Sequence, residues 1–272
     1  MWSAAYELLN GNFREPCFFG QAYNSNLEAY GAAGLMLLGL PAYKALPLVT
    51  MFMFIFPYFV FGAYYLRQKQ ELKALIFLIC PLLMPVDFFL IASLPRGFVT
   101  GIFLFAVGYG LFACIKHKVR HVFLLFFSVL SLTVNPNAVL LALPVLLEVF
   151  VSNMHDRSFY ILGIAGSILG SWYLLLINWF YERYPAYDFF RKDNIEISFR
   201  LFTDAWNFLD LFLYNRAAVL LLMLAGIVVL NRFFSTRVNF LISLSCFLFV
   251  LFTFSVRRVH DGTDNIFLPA AE

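Results

Sequence analysis

Residues 42–66 read AYKALPLVTMFMFIFPYFVFGAYYL, an apolar run with Lys44 as its only charge. A helix needs about 20 apolar residues to cross a bilayer, so this run predicts a membrane span. Similar stretches follow. Residues 74–94 and 98–115 read as the second and third spans. Residues 122–134 and 137–152 read as a pair of short helices broken at Asn135-Pro136, because a proline and the residue before it resist helix continuation. Residues 158–179, 216–233 and 238–256 complete the set. Composition agrees: 62% of the 272 residues are hydrophobic and 13% are charged, against roughly 25% charged in a soluble domain. The expected fold is therefore all-α, a polytopic membrane bundle of about eight helices.

Before the first span, Leu27 to Leu40 is apolar but short, and it reads as an interfacial helix in the first outer loop. Residues 180–215 form the one long polar segment, with a short amphipathic helix expected around 198–213. The chain divides into an outer loop with its interfacial helix (1–41), a transmembrane bundle (42–256) and an outer C-terminal stretch (257–272). Met1 to Asn26 lacks the basic start and apolar core of a signal peptide.

Basic residues set the orientation. Arg67, Lys69, Lys73, Lys116, Lys118, Arg120, Arg157, Arg232 and Arg237 crowd into short loops on one side. On the other side basic residues are spread over much longer segments. The dense side is expected to be cytoplasmic. The first loop, residues 94–97, residues 180–216 and the C-terminal stretch are then outside, facing the periplasm or exterior of a bacterial inner membrane. The net charge of +3 shows no basic stripe beyond these flanking charges, so no nucleic-acid partner is expected; membrane lipid is. Cys80, Cys114 and Cys246 lie in apolar runs and Cys17 stands alone. Their spacing predicts neither a metal site nor a structural disulfide.

Polar density concentrates on the outer side, so a site is expected there. The stretch FFGQAYNSNLEAY, residues 18–30, places Gln21, Tyr23, Asn24, Asn26 and Glu28 where a helix begins. Unpaired N–H groups at such a start suit a phosphate head group. The same residues also suit a helix cap by Asn24, Ser25 or Asn26 with Glu28 in the first turn. Asp87 lies within a span, where an ionisable group is costly; it either lines a cavity or pairs with a neighbouring helix. Arg96, in an outer Pro-Arg-Gly turn, and the cluster Arg257, Arg258, His260 offer cations for a lipid phosphate. Interfacial anchoring would place them there equally well.

The segment from Tyr6 to Val49 resembles the first outer loop and second span of GT-C membrane glycosyltransferases. The nearest pattern belongs to the bacterial group related to protein mannosyltransferases and to lipid A aminoarabinose transferase. The matching residues are Phe18, Phe19, Gly20, Gln21, Tyr23, Leu27, Glu28, Tyr30, Ala33, Gly39 and Leu46-Pro47. The resemblance implies transfer of a sugar from a polyprenyl-phosphate donor to an acceptor at the outer face. It also implies an acidic Asp-Glu or Asp-Asp motif, acting as general base or as ligand of a divalent metal. In relatives that motif lies just ahead of the residues matching Met1-Trp2-Ser3. Glu7 and Glu15 stand at the wrong place for it. The expectation is thus a fragment missing its first span and catalytic acid pair, and stopping short at Glu272, with enzymatic activity only when that span is present. A lipid-linked sugar carrier or transporter, or an inactive remnant, are the competing readings.

Overall fold

The computed structural model describes residues 1–13, 15–18, 21–83, 97–135, 138–187, 194–208, 221, 224–226, 237–253 and 255–259. The chain is mostly helical. In order, the described elements are α1 (Trp2–Leu9), β1 (Cys17–Phe18), β2 (Gln21–Ser25), α2 (Leu27–Leu37), α3 (Ala42–Arg67), α4 (Glu71–Ile79) with a 3₁₀ turn Cys80–Leu83, and α5 (Gly97–Cys114). They continue as α6 (Arg120–Val134), α7 (Val139–Asn153), α8 (Arg157–Gly170), α9 (Trp172–Arg183), β3 (Asn194–Ile197), α10 (Phe199–Phe208), α11 (Arg237–Thr253) and β4 (Val256–Val259).

The expected helices over 42–66, 98–115, 122–134, 137–152, 158–179 and 238–256 all appear, as do the short helix after Leu27 and the amphipathic one after residue 198. Asn135 takes an extended conformation (φ −154°, ψ 115°) before Pro136 and ends α6 there, as the restricted backbone before a proline requires. Helix α1 and two short antiparallel ribbons, β1–β2 and β3–β4, were not expected. Expected helix 74–94 is described only to residue 83, and 216–233 lies largely outside the described residues.

Among the described residues, two helices are long and apolar enough to cross a membrane: Ala42–Arg67, and the 27-residue rod Arg157–Arg183 formed by α8 and α9. Shorter apolar helices run over Val99–Cys114, Arg120–Val134 and Leu141–Asn153. Only 28% of the rod's most apolar window is buried. Ile161, Ile164, Ile168, Trp172, Leu175 and Trp179 are all exposed, and their three- and four-residue spacing makes one apolar stripe.

The chain forms two compact units, residues 1–139 with 154–191, and residues 140–153 with 192–272. In the first, α5, α6 and α8 pack side by side, and α3 joins through α5. Glycines allow this closeness. A Cβ on Gly166 would strike the backbone of Val122, and one on Gly170 the carbonyl of Phe126. The pair Gly166-x-x-x-Gly170 therefore brings α8 against α6 backbone to backbone, the small-residue contact typical of helices in lipid. On the other flank aromatic rings fill the gap: Phe61 of α3 stacks on Phe77 of α4 and on Tyr109 of α5, with centroids 5.3 and 4.8 Å apart. In the second unit, β3 pairs antiparallel with β4 in a register that sets Glu196 opposite Arg257 and Ile195 opposite Arg258 along the backbone.

At one end of the first unit lie Arg67, Lys118 and Asp156. Arg67 donates to the Cys114 thiol at 3.4 Å. Lys118 reaches Asp156 at 3.2 Å and Ser158 at 2.6 Å. Asp156 caps α8 by accepting from the Ser158 amide and hydroxyl. These bonds, with Lys118, hold its carboxyl down to about 2.

Candidate functional site: the first loop over an apolar cleft

The opposite end of the first unit is built around the 18–30 stretch. Gln21, Tyr23 and Asn24 lie on β2, whose partner residues are Cys17 for Ser25 and Phe18 for Gln21. The strand leads directly into α2. Asn26 stands at the head of α2 but does not cap it with its side chain; Ser25 Oγ accepts from the Leu27 amide at 3.4 Å instead. Asn26 Nδ2 turns back to donate to the carbonyls of Glu15 (3.1 Å) and Cys17 (2.8 Å). It thereby closes the first loop onto the start of the helix.

Glu28, in the first turn of α2, is fully buried. Thr100 of α5 donates to one of its carboxylate oxygens at 2.9 Å, and Thr50 of α3 to the other at 3.3 Å. A buried carboxylate is stable only when hydrogen-bonded or paired, and its place near the positive end of α2 adds a favourable dipole. Glu28 thus ties three helices together at the height where the loop begins.

The other edge of the loop is held by α9. Tyr173, Ile177, Phe180 and Tyr181 are its buried stripe. Tyr181 donates to the carboxylate of Glu15 at 3.1 Å, and Tyr173 donates to the Pro16 carbonyl at 3.0 Å. Cys17 lies 3.8 Å from the Tyr173 hydroxyl, and burial pushes its thiol up to about 11. All four cysteines are free thiols.

Beneath this strap is a cleft of about 290 Å³. Its lining is largely apolar, with Leu104, Leu130, Val134 and Leu176, and aromatic, with Phe13, Tyr30, Trp172 and Tyr173. Asn26 and Ser25 supply its polar edge. Asn26 Oδ1 is buried without a hydrogen-bond partner, so one acceptor at this edge is unsatisfied. Such orphan groups are rare in folded proteins and call for an explanation.

Of the residues singled out in the sequence, Gln21, Tyr23 and Asn24 lie along β2 and Glu28 in the first turn of α2. Arg257 and Arg258 lie on β4, in the other unit. Asp87, Arg96 and His260 lie outside the described residues. Sequence reasoning missed Thr50, Thr100, Tyr173 and Tyr181; it had Asn26 at the helix start and Glu15 in the outer loop, but not the bonds they make. The buried stripe of α9 was readable from its four- and eight-residue spacing, whereas a lone threonine in an apolar run carries no such signal. Among the described residues no group of three or more His, Cys, Asp or Glu side chains could hold a metal ion. Comparison with protein families, with curated proteins and with solved structures finds no match.

Proposed function

We propose that this chain is a multi-pass membrane protein of about eight helices that takes a polyprenyl-phosphate-linked sugar at the outer face, as a GT-C type glycosyltransferase does. The carrying observation is that Ser25, Asn26, Leu27 and Tyr30, where the loop runs into α2, line an apolar cleft, and that Asn26 Oδ1 is an unsatisfied acceptor. An apolar channel with few polar groups at one edge is the general form of a ligand site. Here it suits a lipid chain beneath a polar head. In the transfer itself, the bond between the anomeric carbon and the phosphate oxygen breaks. A bond to the acceptor's nucleophilic atom forms, its proton passes to a base, and polyprenyl phosphate leaves. The chain's own contribution is to bind and orient the donor. The tie of Glu28 to Thr50 and Thr100 fixes the loop, and the two tyrosines of α9 hold its other edge.

The sidedness is supported within the first unit. The first loop, the start of α5 and the end of α9 meet at one end, while Arg67, Lys118 and Asp156 collect at the other. That is the segregation the positive-inside rule requires.

The test is photo-crosslinking in nanodiscs with a polyprenyl-phosphate hexose carrying a diazirine on its first isoprene unit. The reading predicts adducts on peptides containing Asn26–Tyr30 and Trp172–Leu176, and their loss when Leu176→Trp fills the cleft. Adducts scattered evenly along the exposed stripe, at Ile161 and Leu175 as often as in the cleft, would overturn it.

A further inference from the structure

The end of the first unit opposite the first loop carries more positive charge than its own carboxylates answer. Residues 67–73, 116–120 and 156–157 hold seven basic side chains and two acidic ones, Glu71 and Asp156. Asp156 is already engaged, since it caps α8 and pairs with Lys118. Glu71 stands in the first turn of α4, where the positive end of the helix favours a carboxylate. Three of the cations rest on softer partners. Arg67 donates to the Cys114 thiol at 3.4 Å. The Lys73 ammonium lies 5.3 Å from the centre of the Tyr65 ring, and the Arg120 guanidinium 4.8 Å from the centre of the Phe112 ring. Among the described residues none of the three reaches a carboxylate. A ring or a thiol answers part of the charge but offers no charged oxygen, so most of their N–H donors stay available.

These cations surround the end of α5. Phe112 and Cys114 are about 200° apart around that helix, so Arg120 and Arg67 approach it from different sides. Each of the three cations is also preceded in the chain by an exposed apolar side chain: Leu66 before Arg67, Leu72 before Lys73 and Val119 before Arg120. A water-soluble anion would answer the cations and leave those apolar side chains in water. A phospholipid answers both, with its phosphate at the cations and its acyl chains at the apolar neighbours.

We propose that this end of the first unit binds the phosphates of anionic phospholipids, with Arg67, Lys73 and Arg120 as the contacts. Arginine takes a phosphate through two parallel N–H bonds and lysine as a point charge. Basic pockets between helices at the cytoplasmic surface hold acidic head groups in this way. The proposal rests on the membrane placement of the first unit, and on neither the cleft nor the sugar donor. It makes the loop ends a fixed seat for particular lipids rather than a diffuse positive border.

The test reconstitutes the full chain into phosphatidylcholine vesicles with a trace of spin-labelled phosphatidylglycerol or spin-labelled phosphatidylcholine. Electron paramagnetic resonance then reads the fraction of each label held at the protein surface. The expected result is a preference for phosphatidylglycerol of about fivefold or more. It falls to near unity when Arg67→Gln, Lys73→Gln and Arg120→Gln are combined. Arg67→Lys with Arg120→Lys, which keeps both charges, retains most of it, and Arg183→Gln, at the other end of the unit, retains all of it. In the wild type, raising the salt from about 0.05 M to about 0.5 M weakens the preference, a readout that needs no variant to fold. Equal retention of the two lipids by the wild type, or a preference unchanged in the triple variant, overturns the seat and leaves the membrane placement standing. Protein left in the water after vesicle flotation overturns both. Polyglutamate bound through the same three residues, with no preference for phosphatidylglycerol, overturns the lipid in favour of an acidic protein.

Discussion

The Glu28 carboxylate shows how one side chain can organise the meeting of three helices. Its oxygens receive hydroxyls from α3 and α5. It is a positioning residue, because it is wholly buried and touches the helices rather than the cleft. A hydrogen bond to a charged group is worth about 1.5–3 kcal/mol. Thr100→Val, which keeps the shape and deletes the donor, is expected to destabilise the protein by about that amount, read as a lower unfolding temperature in detergent. Thr50→Val, with its longer bond, is expected to cost less. Equal stability of wild type and Thr100→Val would mean that the hydroxyl is not bonded to Glu28. Cys17 offers a second check at this scale. With its thiol pushed up to about 11, roughly a few thiolates in ten thousand are present at pH 7.5. The thiolate is the reactive form, so maleimide labelling of Cys17 is expected to be slow at neutral pH and to rise as pH approaches 11. The exposed Cys114 labels readily. Intact-mass analysis after timed labelling separates the two, and equal rates would contradict the buried strap.

At the scale of elements, helix packing depends on small residues on one flank and aromatic rings on the other. Gly166→Leu is expected to force α8 off α6, since the new side chain would have to enter the backbone of Val122. Overpacking of this kind typically costs 1–3 kcal/mol or more. Gly34→Ala, at a helix position with open space around it, is expected to be neutral. The yield of monodisperse protein in detergent distinguishes them, and equal yields would contradict the α6–α8 contact. The long helices were legible in the sequence because apolar runs of this length have few alternatives, and the break after Val134 was legible because Pro136 dictates it. The ribbons were not. β1 and β2 are two and five residues long, and β3 finds its partner on the far side of α11, a pairing no local pattern announces. The motif residues of the loop were legible as a group, but the partners that hold them were not. Thr50, Thr100 and Asn26 gain their roles only when three helices and a strap converge.

For the whole molecule, the account joins two features that arise separately. Two long apolar helices with exposed faces support the proposed membrane placement, and the cleft in the first unit is where the proposed lipid-linked ligand would sit. The central claim is therefore one of binding, and saturation binding tests it most directly. A radiolabelled polyprenyl-phosphate hexose is titrated against the protein in nanodiscs, alongside Leu176→Trp. The account predicts saturable binding at one site per chain, competed by unlabelled polyprenyl phosphate but not by the free sugar, and lost when the cleft is filled. Binding no greater than that of empty nanodiscs, or binding unchanged in Leu176→Trp, would contradict it.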